Sequence, residues 1–312
     1  TGLVIIAIVV LYLWSAWLGW QKPERLRLIS KRYVTWLVGE ALFIGVFLVV
    51  ILVRLQVPAA VATEKPMDFG LLMAVHETES FPPLDPWLAG FEVSYYHLGH
   101  VMVDITGRVV GLNPGIGFNL GLATVGALAA VAMAGLASDM VSIGRPRQRV
   151  TFWIAGAMGV VGLIWLAPFE GLAELAAANG IGSAWGHLGV QGLPGPTEAT
   201  SGVPDQFWWW WRATRIVPGT ISEFPAFSLI LGDLHAHLLA LPLGIVALAL
   251  ALDTFVGKGI LTWRRWLTHP QTLLLTGMLF AGLAMTNAWD VLAYGLIWFA
   301  ASVISFSSSG SP

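Results

Sequence analysis

Seven apolar runs of near-membrane length divide this chain, and they constrain its fold more than any motif it carries. A helix needs about 20 apolar residues to cross hydrocarbon, where no water is present to satisfy an open backbone. The runs are Leu3–Trp20, Val34–Val53, Ile116–Ala137, Phe152–Pro168, Leu238–Leu252, Leu273–Thr286 and Val291–Phe306. The fifth is expected to begin as a helix near Phe224, and polar Asn287–Asp290 divides the last two. Only 11% of the residues are charged and 56% are hydrophobic, whereas a water-facing surface needs roughly 25% charged residues. We therefore expect an all-α, polytopic integral membrane protein, about seven transmembrane helices forming one transmembrane domain over residues 1–312. Thr1 at the start and the Ser/Gly-rich tail Ser307–Pro312 lead us to expect a fragment of a longer chain. With no cysteine, disulfides and Cys-ligated metal centres are excluded. No basic stripe points to nucleic acid.

Orientation follows from lysine and arginine, which are retained on the cytoplasmic side of a bilayer. Lys22, Arg25, Arg27, Lys31 and Arg32 share the Gln21–Tyr33 loop. Arg145, Arg147 and Arg149 share the next loop on that side, and Lys258, Arg264 and Arg265 the third. That side is expected to be cytoplasmic. Two long loops, Gln56–Gly115 and Gly171–Pro225, then lie outside, and long loops in compact proteins usually serve a function. Glu40, inside the second run, is expected to be paired within the bundle.

In the first outer loop, Pro66 predicts an extended residue before it, and Asp68 predicts a helix cap ahead of Phe69–Glu77. The Pro-rich stretch Ser80–Gly90 is irregular, with Asp85 as a turn residue. A second short helix is expected to run from the Tyr95-Tyr96-His97-Leu98-Gly99-His100 motif to Val110. Two interfacial helices joined this way would cap the bilayer and hold a carboxylate at its surface. His97 and His100 stand three apart, a metal-binding spacing that is more often merely interfacial.

The second outer segment holds four consecutive tryptophans, Trp208–Trp211, followed by Arg212 and Arg215. Indoles at a bilayer edge usually serve as anchors. Two guanidinium groups on one helical face suit a phosphate, and salt bridging to nearby carboxylates is the competing account. Gly232-Asp233-Leu234-His235-Ala236-His237 enters the fifth run. Ionisable groups at that depth default to a functional reading. On a continuous helix Asp233 and His237 share a face and His235 points elsewhere. A metal site, a proton relay and a buried hydrogen-bonded network are the three readings of that trio.

Glu64-Lys65-Pro66-Met67-Asp68-Phe69, Phe81-Pro82-Pro83-Leu84-Asp85-Pro86-Trp87 and Tyr95-Tyr96-His97-Leu98-Gly99-His100 together resemble the "YYY" membrane proteins of archaea and Chloroflexi, the DUF2298 family. Trp210–Arg215, Glu223-Phe224-Pro225, Gly232–His237 and Thr286–Asp290 continue the likeness, which runs from about Val34 to Tyr294. His97 departs from it, standing where the family name leads us to expect a third tyrosine. The family in turn resembles the GT-C glycosyltransferases, which take sugars from polyprenyl-phosphate donors. That resemblance implies a GT-C-like fold and an acidic residue at the start of an interfacial helix, placing Asp68 as catalytic base with Glu64 as second candidate.

On this reading Arg212 and Arg215 hold the donor phosphate, and Trp211, Tyr95, Tyr96, His100 and Glu223 complete the substrate site. Asp233, His235 and His237 position a divalent ion, Mg²⁺ or Mn²⁺, or the acceptor. The expected partners are membrane lipid, the polyprenyl-phosphate sugar donor and a larger membrane complex. Two rivals stand beside it: a transporter or proton pathway through the ionisable residues, and a non-catalytic structural subunit of a larger assembly.

Overall fold

A computed structural model of the chain describes residues 2–21, 32–143, 148–164, 170–181, 202, 213–215, 217, 219–257 and 270–309. Eleven α-helices and no strand occur among them. In chain order these are α1 (Gly2–Gln21), α2 (Tyr33–Arg54), α3 (Lys65–Glu77), α4 (Leu98–Val109), α5 (Pro114–Ser142), α6 (Arg149–Ile164), α7 (Glu170–Ala178), α8 (Pro225–Leu231), α9 (Ala236–Val256), α10 (Pro270–Thr286) and α11 (Ala288–Ser309). Five of them, α1, α2, α5, α9 and α11, are long and apolar enough to cross a membrane. The other two expected spans, α6 with 16 residues and α10 with 17, are apolar but shorter. At 1.5 Å per residue their described residues cover about 25 Å.

Backbone contacts divide the chain into two compact units, residues 1–132 with 232–312 and residues 133–231. In the first, α9 packs against α10 and α11. Ala240, Ala247 and Leu283 are wholly buried there, against Leu243, Phe280, Val291 and Tyr294. Gly244 makes that packing close: a Cβ on it would come within 2.5 Å of the Tyr294 ring. Such small-residue approaches are how apolar helices associate where burial from water gives no drive. The helices α3 and α4 pack together, and Phe69 of α3 meets Phe118 of α5 edge to face at 5.8 Å. Gly99 brings α4 against α9 at Leu239.

The clip between α3 and α4 is polar. Asp104 accepts from His76 Nδ1 at 2.6 Å and from Arg108 Nε at 2.7 Å. The Arg108 guanidinium also donates to the His76 carbonyl, satisfying one of the orphan acceptors of a helix end. Between the two helices, Asp85 accepts from the Trp87 and Leu88 amides, confirming it as a turn residue. The Trp87 ring lies against Gly70, where a Cβ would come within 2.5 Å of it.

In the second unit, Gly156 and Gly159 of α6 pack against Met133, Ala134, Ala137 and Ser138, while nothing approaches Gly162. Ser138 donates to the Phe152 carbonyl at 2.9 Å. The helix α8 packs on α6.

Three sequence expectations change. The fifth run does not start as one helix near Phe224, because α8 ends at Leu231 and the chain turns at Gly232 (φ 85°) before α9 begins. Lys65 is already helical rather than extended before Pro66, because a proline at the first turn of a helix lacks only an N–H that would have no partner there. Glu40 is exposed, and no ion pair to it occurs among the described residues.

Candidate functional site

Ionisable side chains from two segments meet in the first unit, at the start of α3 and just before α9. The segment leading to α3 turns sharply, with Ala62 and Thr63 both left-handed (φ 61° and 52°). Each costs about 1–2 kcal/mol for a residue with a Cβ, so surrounding contacts must hold them. One contact is Thr63, whose hydroxyl reaches Asp233 Oδ1 at 2.8 Å while lying 3.0 Å from the Lys65 ammonium. Lys65 in turn stands 3.9 Å from Asp233 Oδ1, with both side chains buried.

Glu64, not Asp68, occupies the N-cap position of α3, and Asp68 sits inside the first turn. Asp68 is 0% exposed, and neither of its carboxylate oxygens meets a donor in full hydrogen-bond geometry among the described residues. Burial pushes its carboxyl up to about 7, with Asp233 and Glu64 adding to the rise. His235 and the Leu234 amide work against it. Burial also raises Asp233, against the pull of Thr63, Lys65 and His235. It lowers Lys65, which Asp233 and Asp68 hold up.

The turn at Gly232 explains how the other half of the site arrives. A Cβ at this position would lie 2.4 Å from Arg54 Nη1, so the backbone comes as near to the guanidinium as glycine alone allows. Arg54 is fixed from the far side by Asn119 Oδ1, 2.8 Å from its Nε. Past the turn, Asp233 stands outside any helix, and His235, on extended backbone, occupies the N-cap position of α9. Its Nε2 lies 2.6 Å from Glu64 Oε2 and its Nδ1 4.0 Å from Asp68 Oδ2. The expected sharing of a helical face by Asp233 and His237 therefore fails, because the backbone there is not helical; the imidazole that meets the carboxylates is His235.

His100 is wholly buried, with no hydrogen-bond partner for either ring nitrogen among the described residues. Burial lowers it to about 4, helped by His235 and His97, so the ring is neutral. His97 stands at the N-cap position of α4, lies 3.1 Å from the Tyr95 carbonyl through Nδ1 and stacks on Phe81. The two histidines thus do not form a shared ligand pair on one helix. Tyr95 is exposed, and its ring lies 5.4 Å from that of half-buried Tyr96.

Trp211 and Arg212 lie outside the described residues. Arg215 is half-buried in the second unit, its guanidinium donating to the Thr214 hydroxyl. Glu223, also there, accepts from Ser228 at 3.1 Å.

The divalent ion expected at Asp233, His235 and His237 does not fit this arrangement. Asp233 is turned to Thr63 and to the Lys65 ammonium, which already supplies positive charge at that carboxylate, and His235 Nε2 is turned to Glu64. Among the described residues no three His, Asp or Glu side chains are grouped to hold a metal. Sequence reasoning missed Thr63, Lys65 and Arg54. Lys65 and Arg54 carried a signal, for both are basic residues outside the three basic loops that set the expected orientation.

Helices of membrane length around a buried acid–imidazole cluster define an all-helical membrane protein with ionisable groups at a helix-end junction. The chain belongs to the DUF2298 family of uncharacterized membrane proteins, whose family model matches residues 1–310. No curated protein and no solved structure matches it.

Proposed function

We propose that the chain is a membrane glycosyltransferase of the GT-C type that moves a sugar from a polyprenyl-phosphate donor to a hydroxyl acceptor on the non-cytoplasmic face. Asp68 acts as general base. It takes the acceptor proton as the acceptor oxygen bonds to the sugar's anomeric carbon, and the bond from that carbon to phosphate breaks. Polyprenyl phosphate leaves with the electron pair.

One observation carries the reading. A carboxyl group buried at a helix start, raised to about 7 and facing an imidazole, has the proton affinity a general base needs at neutral pH. Lys65, in the same cluster, supplies positive charge for the leaving phosphate. Arg212 and Arg215 are assigned to donor phosphate by their paired guanidinium chemistry.

The test is transfer from polyprenyl-phosphate hexoses carrying a radiolabelled sugar, assayed in membranes holding the full chain. Asp68→Asn should lower transfer by about 100-fold or more while leaving donor binding nearly intact. Parent activity should rise with pH through about 7, as Asp68 loses its proton. Replacing Arg212 and Arg215 with Ala should raise KM for the donor. An Asp68→Asn protein as active as the parent rejects Asp68 as the base.

A further inference from the structure

A buried base must discard the proton it takes before it can act again, and Asp68 is sealed from water at 0% exposure. Of the ionisable groups near it, Asp233 is buried and held by Thr63 and Lys65. His100, from α4, is wholly buried and neutral, and His97 influences it from the start of that helix. Arg54 lies against Gly232, and His237 stacks on His235 with ring centres 5.6 Å apart. Glu64 differs from all of these: its side chain is 52% exposed, and its Oε2 lies 2.6 Å from His235 Nε2.

We infer that His235 and Glu64 form a proton exit that connects Asp68 to water, a positioning and relay role that rests on the reading of Asp68 as base. The proton moves from Asp68 Oδ2 to His235 Nδ1. His235 Nε2 gives up its own proton to the Glu64 carboxylate, and Glu64 releases it to solvent. The imidazole is left neutral with its proton on Nδ1, and exchange with water, which removes that proton and returns one to Nε2, restores the starting tautomer. The 4.0 Å gap between Asp68 and His235 closes to hydrogen-bond length with a shift of about 1 Å. His235 stands on extended backbone at the start of α9, and its ring is aimed by the Glu64 contact and by stacking on His237.

Time-resolved infrared spectroscopy of the full chain in lipid nanodiscs, after a pH jump across 7, reads the step without any sugar substrate. The carboxyl band lost in Asp68→Asn identifies Asp68. In Glu64→Gln the rate at which that band exchanges its proton should fall at least about tenfold, because the exit acceptor is gone while the exposed cap position tolerates the amide. His235→Ala should slow exchange similarly, and added imidazole should restore it. Exchange within about twofold of the parent in Glu64→Gln, with the Asp68 band still present, overturns the relay; Glu64→Gln decides the matter alone if His235→Ala does not fold. Failure of the catalytic reading looks different: glycosyl transfer persists in Asp68→Asn although the relay rates behave as expected.

Discussion

A single carboxyl group dominates this molecule at the scale of residues. Asp68 is held near neutrality by burial, and that has a thermodynamic sign that can be measured apart from catalysis. Its folded value of about 7 lies above the ordinary 3.8, so between those values the folded chain binds more protons than the unfolded one. Stability therefore falls as pH rises from about 4 to about 7, by an amount on the order of 4 kcal/mol. Asp68→Asn removes the titration. Its melting temperature in detergent should exceed the parent's at pH 8, and the gap should close toward pH 4. Equal melting temperatures at pH 8 would show that Asp68 is not forced to ionise in a dry site. A residue that is both costly to ionise and useful when ionised is what a base near pH 7 requires. The opposite case is His100, whose lowered value of about 4 makes its neutral form a stabilising feature that is lost as pH falls below about 6.5.

Among the elements, the turn at Gly232 decides where the site forms. Its positive φ and its approach to Arg54 both demand glycine. Gly232→Ala should cost about 2 kcal/mol or more, part from left-handed strain and part from the clash. Adding Arg54→Ala should recover the steric part and leave the strain, a coupling that a double-mutant cycle in thermal unfolding reads directly. If the two substitutions are simply additive, the guanidinium is not what the glycine accommodates. This element also marks where the sequence stops being legible. Apolar runs report spans because lipid selects length and composition alone, and all five long helices lie over runs marked in advance. The break before α9 falls between two apolar stretches, and the residue that Gly232 lies against, Arg54, is far back in the chain. Asp68 and Glu64 were visible through a short motif, but their division of labour was not: the cap position went to Glu64 because the helix starts at Lys65, one turn sooner than Asp68 alone suggests. Thr63 had no local signature, since its importance comes from the partner it meets across the fold.

For the molecule as a whole, the distribution of basic residues implies a direction in the membrane that chemical labelling can check. The chain has no cysteine, so any introduced thiol is the sole target of a maleimide. Ser80→Cys, in the loop between α3 and α4, should react with a membrane-impermeant maleimide added outside intact cells. Tyr33→Cys, at the start of α2, should react only after the cells are opened. The reverse pattern would move the Asp68 cluster to the cytoplasmic surface and with it the supply of donor. The paired left-handed residues Ala62 and Thr63 have a consequence of their own at this scale. They act as a preloaded latch at the mouth of the acid cluster: glycine in both places would ease folding, yet it would also let the latch swing. The chain would then gain robustness toward heat and lose the fixed aim of Thr63 and Lys65 at Asp233, so a sturdier protein here would be a blunter one.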